Sequence, residues 1–262
     1  MHFRAIRSIL GNRELIWEMA LRDLKGRNKG AFLGYMWLVI SPLIQVAAFV
    51  VIVSLVFKIR LHPGAGSFDY ALYVLSGMIP WQIITKSLQE STSLIRERID
   101  WAKQVIYPIE TLPLTELLVS SLGSMVTLSI FAILALVTGH FRWTYFLFPL
   151  ALLPLLMLVL GVSWIFSIVG VIIKDLREVV TIALGLLVYL SPVLMSESMV
   201  GKRIWGYILW NPLTHPIICF RDVFSSNFHI WSWIIFLSMA LVAFKLGWWV
   251  VTRTKLLINE YI

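Results

Sequence analysis

The chain has 262 residues, of which 59% are hydrophobic and 14% are charged, and 22 Lys and Arg against 14 Asp and Glu give a net charge of +8. Soluble domains average about 45–50% apolar and about 25% charged residues, so this composition excludes a typical water-soluble protein, and the long unbroken apolar runs exclude the alternating strands of an outer-membrane barrel. The remaining class is a helical membrane protein, in which an excess of Lys and Arg marks cytoplasmic loops rather than a nucleic-acid partner.

Apolar segments that are long enough, or nearly long enough, to cross a membrane recur six times; a spanning helix needs about 20 apolar residues. They are 31–57, 70–85, 116–137, 144–173, 179–195 and 231–251. Fifteen Lys and Arg lie on the side of the two termini and six lie on the other side, so the positive-inside rule predicts that both termini are cytoplasmic. We therefore predict an all-α polytopic membrane protein with six transmembrane helices, in a single transmembrane domain over 1–262.

The segment 12–29, which precedes the first span, has the pattern of an amphipathic helix. Glu18 and Arg22 lie four residues apart on its charged face, near Lys25, whereas Ile16 lies on the apolar face. Such a helix lies in the membrane interface, here on the cytoplasmic side, as an anchor or as a contact for a partner. We expect no secretory signal peptide, because the first thirty residues are polar and charged.

The cytoplasmic loop 86–113 changes character along its length. It is charged as far as Asp100 and becomes apolar and aromatic from Trp101 to Tyr107, after which Pro108 ends any helix. Apolar side chains on a cytoplasmic loop need a partner or the membrane surface to cover them. We therefore predict that a helix over 89–101 docks on a soluble protein.

The stretch 196–230, between the last two spans, is too long for a simple loop and too apolar to be solvated. Its two apolar halves have about ten residues each, too few to cross the membrane, and the chain must turn at Asn211-Pro212 because proline disfavours helix there. We predict two short re-entrant helices in the outer half of the membrane. Non-helical backbone at that depth has to be buried in protein or line a cavity, so this segment is the candidate external gate.

Motifs typical of catalysis are missing from the sequence. There is no G-x-x-x-x-G-K-[ST] phosphate loop and no H-E-x-x-H zinc motif, and Gly161-Val162-Ser163 lacks the closing glycine of a nucleophile elbow. Cys219 is the only cysteine, which excludes an intrachain disulfide, and Lys245 is the only ionisable residue well inside a span. We predict no catalytic residue, no metal and no cofactor in this chain.

Aromatic residues are abundant, and most of those at span ends are typical of the interfacial belt of membrane proteins. Trp37, Tyr73 and Trp81 instead lie within the first two predicted spans. Rings that line a pore can stack on the apolar faces of sugars and let a glycan slide past, so we predict that these three residues line a glycan path. The alternative is that they pack inside the protein or face lipid.

Several motifs in this order resemble the transmembrane subunit of type-2 ABC transporters that export polysaccharides. The resemblance rests on the run from Arg22 to Trp37 followed by Pro42, on Tyr73, Gly77, Pro80 and Trp81, on Tyr107-Pro108 and Leu112-Pro113, on Asp175, and on Ser191-Pro192, Asn211-Pro212 and Arg221. The chain departs from the family pattern at Asn28, where an aromatic residue is usual, at Ala31, where serine is usual, and at Lys174, where arginine is usual.

The resemblance implies the type-2 ABC exporter fold, a homodimer of this subunit, and two copies of a separate ATPase that binds the ATP and Mg²⁺. It implies a polysaccharide substrate, often linked to undecaprenyl lipid, of the O-antigen, capsule or teichoic acid kind; the N-terminal signature is most similar to the O-antigen branch and to a Gram-negative inner membrane. The predicted ATPase-coupling residues are Arg22, Lys25, Ile99, Trp101, Tyr107 and Pro108, and the predicted gate residues are Asn211, Pro212, Phe220 and Arg221.

Two other functions compete with polysaccharide export. A type-2 ABC permease for drugs or lipids shares the six-span architecture, although the interface-helix signature and the aromatic spans favour a glycan. An intramembrane glycosyltransferase or acyltransferase would need buried acids or a histidine pair in or beside the spans, and the sequence shows none.

Overall fold

The computed structural model describes residues 11, 13–27, 34–51, 67–98, 109–225 and 227–261, which form helices and turns without a strand. The helices are α1 (Arg13–Arg27), α2 (Trp37–Val51), α3 (Ser67–Ser91), α4 (Leu94–Glu97), α5 (Leu112–Val137), α6 (Phe148–Ile172), α7 (Leu176–Leu187), α8 (Glu197–Leu209), α9 (Thr214–Ser225) and α10 (Ile230–Tyr261). Short 3₁₀ helices, Gly34–Met36, Ile109–Thr111 and Trp143–Leu147, precede α2, α5 and α6. The predicted all-α class is confirmed.

The core of the bundle consists of two pairs of long helices. α6 packs along α10 and α3 packs along α5, and α3 also contacts α6. The fully buried side chains that join these helices include Ile83 of α3, Leu117 of α5, Leu155 and Trp164 of α6, and Phe236 of α10. Because lipid is as apolar as these side chains, the helices associate through close packing rather than through hydrophobic burial.

Three glycines bring helix backbones into direct contact. A Cβ at Gly161 would lie 2.3 Å from the carbonyl oxygen of Ala243, and one at Gly247 would lie 2.1 Å from the carbonyl oxygen of Gly161. A Cβ at Gly170 would lie 1.6 Å from the carbonyl oxygen of Thr92. Small residues let membrane helices approach closely, so these glycines set the spacing of α6 from α10 and from the turn after α3.

Three helical segments of the described chain are long and apolar enough to cross a membrane: Ile109–Val137, Trp143–Ile172 and Ile230–Thr254. They correspond to the third, fourth and sixth predicted spans. The first predicted span is described only over 34–51, and the fifth, 179–195, is helical only within α7, which ends at Leu187. Six spans therefore stay a prediction.

The second predicted span, 70–85, lies inside the longer helix α3, which continues through Lys86 to Ser91. The helix is 25 residues long, enough for a bilayer at 1.5 Å per residue. Its polar residues make it less apolar than the other core helices, and four of them, Ser76, Gln82, Ser87 and Ser91, are buried. The first residues of the predicted loop 86–113 are thus helical and continue α3 as far as Ser91.

Charged residues mark the two ends of the bundle. Asp23, Arg98 and Arg177 lie at one end, which we call the lower end, and Asp69 and His140 lie at the opposite, upper end. α1 lies at the lower end and packs on α5. It buries Ile16 and Ala20 as the amphipathic pattern predicts, but Trp17 is exposed.

The two short helices predicted before the last span are α8 and α9. α8 ends at Leu209 and α9 begins at Thr214, so the predicted break at Asn211-Pro212 is confirmed. Asn211 closes the turn with its side chain, which accepts a hydrogen bond from the Leu213 N–H and donates one to the Leu190 carbonyl. α8 itself bends at Gly201, whose φ of 77° is a conformation that favours glycine.

Candidate functional site

A groove runs between α2, α3 and α7 and has a volume of about 420 Å³. Helix α3 supplies most of its wall, α2 contributes Gln45, and α7 contributes Thr181, Leu184 and the small residue Gly185. We call it the α3 groove. Its size falls within the range of about 300–1,000 Å³ that is usual for small-molecule sites, so it can hold a short segment of a larger substrate.

A polar stripe on α3 faces this groove. Gln82, Thr85, Lys86 and Gln89 all line it, and their spacing of three, four and seven residues places them on one face of the helix. Exposing polar side chains to lipid costs free energy, so polar residues on one face of a membrane helix usually line a polar cavity or pathway. Sequence reasoning missed this stripe because it assigned residues after Thr85 to a loop; the spacing itself was the available signal.

Further polar groups lie behind the stripe, between α3 and α5. Thr127 donates a hydrogen bond of 2.8 Å to the side-chain oxygen of Gln82. Gly123 leaves room for Lys86, whose Nζ would lie 2.8 Å from a Cβ at that position. The stripe is therefore held by polar contacts on one side and open to the groove on the other.

Glu116 is a buried acid that the sequence analysis placed at the very edge of the third span. Its side chain is 1% exposed, inside α5, and accepts a hydrogen bond of 2.6 Å from Ser120 one turn later. The expectation that no acid is buried beside the spans was therefore wrong. The reason is that α5 begins at Leu112, one turn before the predicted span. Glu116 therefore lies within the helix, where it is packed inside the bundle.

The three aromatic residues predicted to line the glycan path lie in three different places. Trp81 lines the α3 groove. Tyr73 lies nearer the upper end, where its ring packs under the guanidinium of Arg221. Trp37 is the first residue of α2 and is 41% exposed, outside the set of residues that line the groove.

Arg221 joins α9 to α3 at the upper end. Its guanidinium carbon lies 3.5 Å from the centre of the Tyr73 ring, and it donates hydrogen bonds to the Tyr73 hydroxyl at 2.9 Å and to the Pro192 carbonyl at 2.7 Å. The Tyr73 hydroxyl in turn donates to the Met195 carbonyl, and the Tyr70 hydroxyl donates to the Leu194 carbonyl. Two tyrosines and one arginine thus fix the segment after α7 against α3.

The neighbouring Asp222 fastens α9 to the start of α10. Its carboxylate is 1% exposed and accepts hydrogen bonds from the backbone N–H of His229 at 2.7 Å and from the Trp233 indole at 3.0 Å; the His229 ring lies 2.6 Å away. Asp222 is next to Arg221 in sequence and carries the opposite charge, but the two side chains do not form an ion pair in the described part of the chain. The two side chains instead serve different joints, and Arg221 is bound by Tyr73 and by backbone carbonyls.

The two halves of the predicted gate differ sharply in packing. α9 belongs to the core, and Phe220, one of the predicted gate residues, is 0% exposed there. In α8 the large side chains face outward, and Tyr207 is exposed, as is Trp210 at 89% just beyond its end. If the predicted gate moves, α8 rather than α9 is the helix that can move, because α9 is packed in the core.

A network of charged side chains connects three segments at the lower end. Arg177, at the start of α7, donates to Glu90 at 3.0 Å and to Glu97 at 3.4 Å. Next to Glu97, Arg98 pairs with Asp23 of α1 at 2.5 Å. The network therefore links α1, the segment 90–98 and α7.

The segment 90–98 is also packed into the bundle, because Leu94 and Ile95 of α4 are buried in the core. The predicted coupling residues Arg22 and Lys25 are exposed on α1. Ile99, Trp101, Tyr107 and Pro108 lie outside the described residues. At the far end of the loop between α3 and α5, the Trp164 indole of α6 donates a hydrogen bond to the Glu110 carbonyl at 2.8 Å. Because Thr92, at the start of this loop, touches Gly170 of α6, both ends of the loop are fixed to α6.

Comparison with known proteins identifies relatives that are named as export and transport proteins. The chain is 26% identical to an O-antigen export system permease protein RfbA of Klebsiella pneumoniae over 82% of its own length and 81% of the relative. It is 26% identical to the protein of the same name from Myxococcus xanthus, over 86% and 85% of the two chains, and 26% identical to the polysialic acid transport protein KpsM of Escherichia coli, over 77% and 78%.

A family model described as ABC-2 type transporter matches residues 14–225. This region begins in α1 and ends at the last residue of α9. It includes the α3 groove, the charged network around Arg177 at the lower end (the lower network), and the contacts of Arg221 with Tyr73 and Pro192 at the upper end (the upper joint). The match covers most of the chain, and the chain therefore belongs to the ABC-2 type transporter family.

Proposed function

We propose that this protein is the permease subunit of an ATP-driven transporter that exports a polysaccharide across the inner membrane. The polysaccharide that we propose is lipid-linked O-antigen. The observation that carries the proposal is the polar stripe of α3 that lines the α3 groove beside Trp81. A stripe of amide, hydroxyl and ammonium groups with an indole at its upper part offers hydrogen bonds and a stacking surface to a sugar chain. The names of the relatives support the same substrate class.

The α3 groove is open on one side, and we propose that a second copy of the chain closes it. Apolar side chains flank the opening on α2 and α7, and those of Leu43, Ile44, Ile182 and Leu186 are exposed in the single chain. In a homodimer two such grooves would face each other and enclose a path wide enough for a glycan. Six spans, with α8 and α9 dipping into the outer leaflet, complete the proposed architecture.

We assign the lower end to the cytoplasm, where two copies of a separate ATPase bind beneath the loop 86–113. The lower end carries Lys174 and Arg177 in addition to the basic residues of α1, as the positive-inside rule requires. Nucleotide hydrolysis then moves the segment 90–98, and the lower network transmits the movement to α1 and α7. Because α7 borders the α3 groove, this movement would open and close the path.

Removal of polar groups from the stripe tests the proposed path. We expect Thr85→Val combined with Gln89→Leu to reduce glycan export about thirtyfold, since two hydrogen bonds of about 1 kcal/mol each are lost to the passing sugar. Export is measured as O-antigen on the surface of a deletion strain that carries the variant, at matched amounts of permease in the membrane.

Ser87→Ala is the matched control, because Ser87 is buried on the same helix away from the groove and its hydroxyl has no hydrogen-bond partner among the described residues. Normal export by the double variant would contradict the assignment of the groove. A deletion strain that keeps all its surface glycans and becomes drug-sensitive would instead identify a drug or lipid exporter, and sugar transfer by the purified chain would identify a transferase.

Arg177→Ala tests the lower network. The pairs of Arg177 are partly exposed, and such pairs contribute about 0–1 kcal/mol to stability, so we expect normal folding. Mutations within a coupling network typically cost about 0.5–2 kcal/mol of coupling, which predicts a roughly two- to thirtyfold loss of glycan exported per ATP. The measurement compares export and ATP hydrolysis by the reconstituted complex.

The control for this prediction is Arg253→Ala, which removes an exposed cation of α10 at the same end of the bundle. We expect it to leave the ratio of export to hydrolysis unchanged. A proportional fall of both activities in Arg177→Ala would show that the network does not transmit movement.

A further inference from the structure

A second cavity, separate from the α3 groove, lies at the upper end of the bundle. Its volume is about 370 Å³, and it lies between the start of α3, the turn from α5 to α6, and the turn from α9 to α10. Asp69, His140, Arg142 and Asn227 are among its lining residues. Under the orientation proposed above, this cavity opens on the outer face of the membrane.

Aromatic rings form one wall of this cavity. Phe131, Tyr145 and Phe224 all line it, and their ring centres lie 4.4 to 5.6 Å apart. Tyr73 is a fourth lining residue, and the guanidinium of Arg221 covers one of its faces. The rings support one another, because Tyr145 meets Phe224 edge-on, as aromatic pairs favour, and Phe131 is tilted against both.

The rim of the cavity is polar and carries both signs of charge. The Asp69 carboxylate lies 3.3 Å from Nε2 of His140, and Arg142 is held in place because it donates to the Ser225 carbonyl at 3.3 Å. The Asn227 side chain is exposed and adds an amide. The rim therefore offers both hydrogen-bond donors and acceptors around an aromatic wall.

This combination selects a class of ligand. A simple anion such as phosphate could use Arg142 but neither the aromatic wall nor the Asp69 carboxylate, and an apolar ligand would leave the charged rim without partners. A sugar ring has one apolar face for the aromatic wall and hydroxyls that both donate and accept hydrogen bonds. At the small end of the range of about 300–1,000 Å³ for small-molecule sites, the cavity suits a short saccharide.

We propose that the upper cavity is a saccharide-binding site that holds a sugar unit of the exported glycan at the outer face, apart from the path through the α3 groove. The inference rests on the proposed function, because it takes the ligand from the glycan that the permease exports. It assigns to Asp69 and Arg142 the role of binding sugar hydroxyls, with Asn227 beside them in the lining.

The test is photo-crosslinking in cells that export their own glycan through the intact transporter. A benzoylphenylalanine is introduced in place of Asn227 in the cavity, in place of Gln45 in the α3 groove, or in place of Tyr207, an exposed residue of α8 that lines neither cavity. Permease is purified after irradiation, and attached glycan is detected by periodate staining and by mass. We expect glycan on the Asn227 and Gln45 variants and none on the Tyr207 variant.

A second variant separates binding from mere proximity. Asp69→Asn keeps the shape of the side chain and removes its charge, and we expect it to reduce crosslinking from position 227 about tenfold, the factor implied by loss of one charge-assisted hydrogen bond. Crosslinking from position 45 should not change. Equal crosslinking with and without the Asp69 change would overturn the proposal.

The remaining outcomes are equally decisive. Glycan on position 45 with none on position 227 refutes the upper site and leaves the proposed function intact. Phospholipid on position 227, or equal glycan on positions 207 and 227, also refutes it. Glycan on neither 45 nor 227 refutes both the path through the α3 groove and the upper site.

Discussion

Alanine at Gly161 or at Gly247 is expected to destabilise the protein strongly, because it would force α6 away from α10. The added Cβ would lie 2.3 Å from the backbone of Ala243 in the first case and 2.1 Å from the carbonyl oxygen of Gly161 in the second, whereas carbon atoms pack at about 3.5–4.0 Å. The obstructing atoms are backbone, so a side chain cannot rotate away and α6 must separate from α10.

Overpacking of this kind costs about 1–3 kcal/mol and occasionally more. We expect each variant to reach the upper part of that range, which at roughly 2–4 °C per kcal/mol lowers the midpoint of thermal unfolding by about 6–12 °C. The measurement is fluorescence-detected size-exclusion chromatography of detergent-solubilised protein after heating.

Gly206→Ala is the matched control. Gly206 lies in α8, and a Cβ there would meet no atom within 4 Å, so alanine should be neutral or should stabilise the helix by up to about 1 kcal/mol. If Gly161→Ala and Gly206→Ala melt together, α6 and α10 are not in the backbone contact described here.

Replacement of Arg221 by methionine is the second change with a large expected effect. Methionine fills similar space but removes the donors to the Pro192 carbonyl, the Tyr73 carbonyl and the Tyr73 hydroxyl. Hydrogen bonds to a charged group contribute about 1.5–3 kcal/mol each, so we expect the loss of three to cost about 5 kcal/mol or more and to leave little folded protein in the membrane.

Arg221→Lys provides a graded comparison, because lysine keeps the charge but has no planar fork to reach both carbonyl groups. We expect partial recovery of the folded protein. Arg203→Met, at an exposed position of α8, controls for loss of a cation at the same end and should leave the unfolding midpoint unchanged. Arg221→Met that unfolds at the wild-type temperature would show that the upper joint does not hold α9 against α3.

Both predictions concern residues whose importance the sequence only partly revealed. Gly161 was noticed because it begins an incomplete nucleophile elbow, and its role as a contact for α10 depends on a residue more than eighty positions away. From the sequence, Arg221 is predicted only as a gate residue. The structure gives it Tyr73 and Pro192 as partners, and both lie in segments distant in sequence.

Local sequence patterns were sufficient to predict those features whose physical cause lies within one segment of the chain. Composition and the length of the apolar runs determined a helical membrane protein, the charges of 12–29 determined the helix α1, and proline at 212 determined the break between α8 and α9. The ordered set of motifs determined the family, because it depends on residue types and spacing along the chain.

Only the tertiary structure decided which side chains face each other. It placed Trp81 in the α3 groove and Tyr73 at the upper joint, buried Glu116 and Phe220, and connected Arg177 to Glu90 and Glu97. A helical repeat assigns each residue to a face of its own helix, but the partner of that face is set by the packing of segments far apart in sequence. For that reason the sequence by itself determined the class of protein and its helices, and the packing of α3 against α2, α5, α7 and α9 determined its sites.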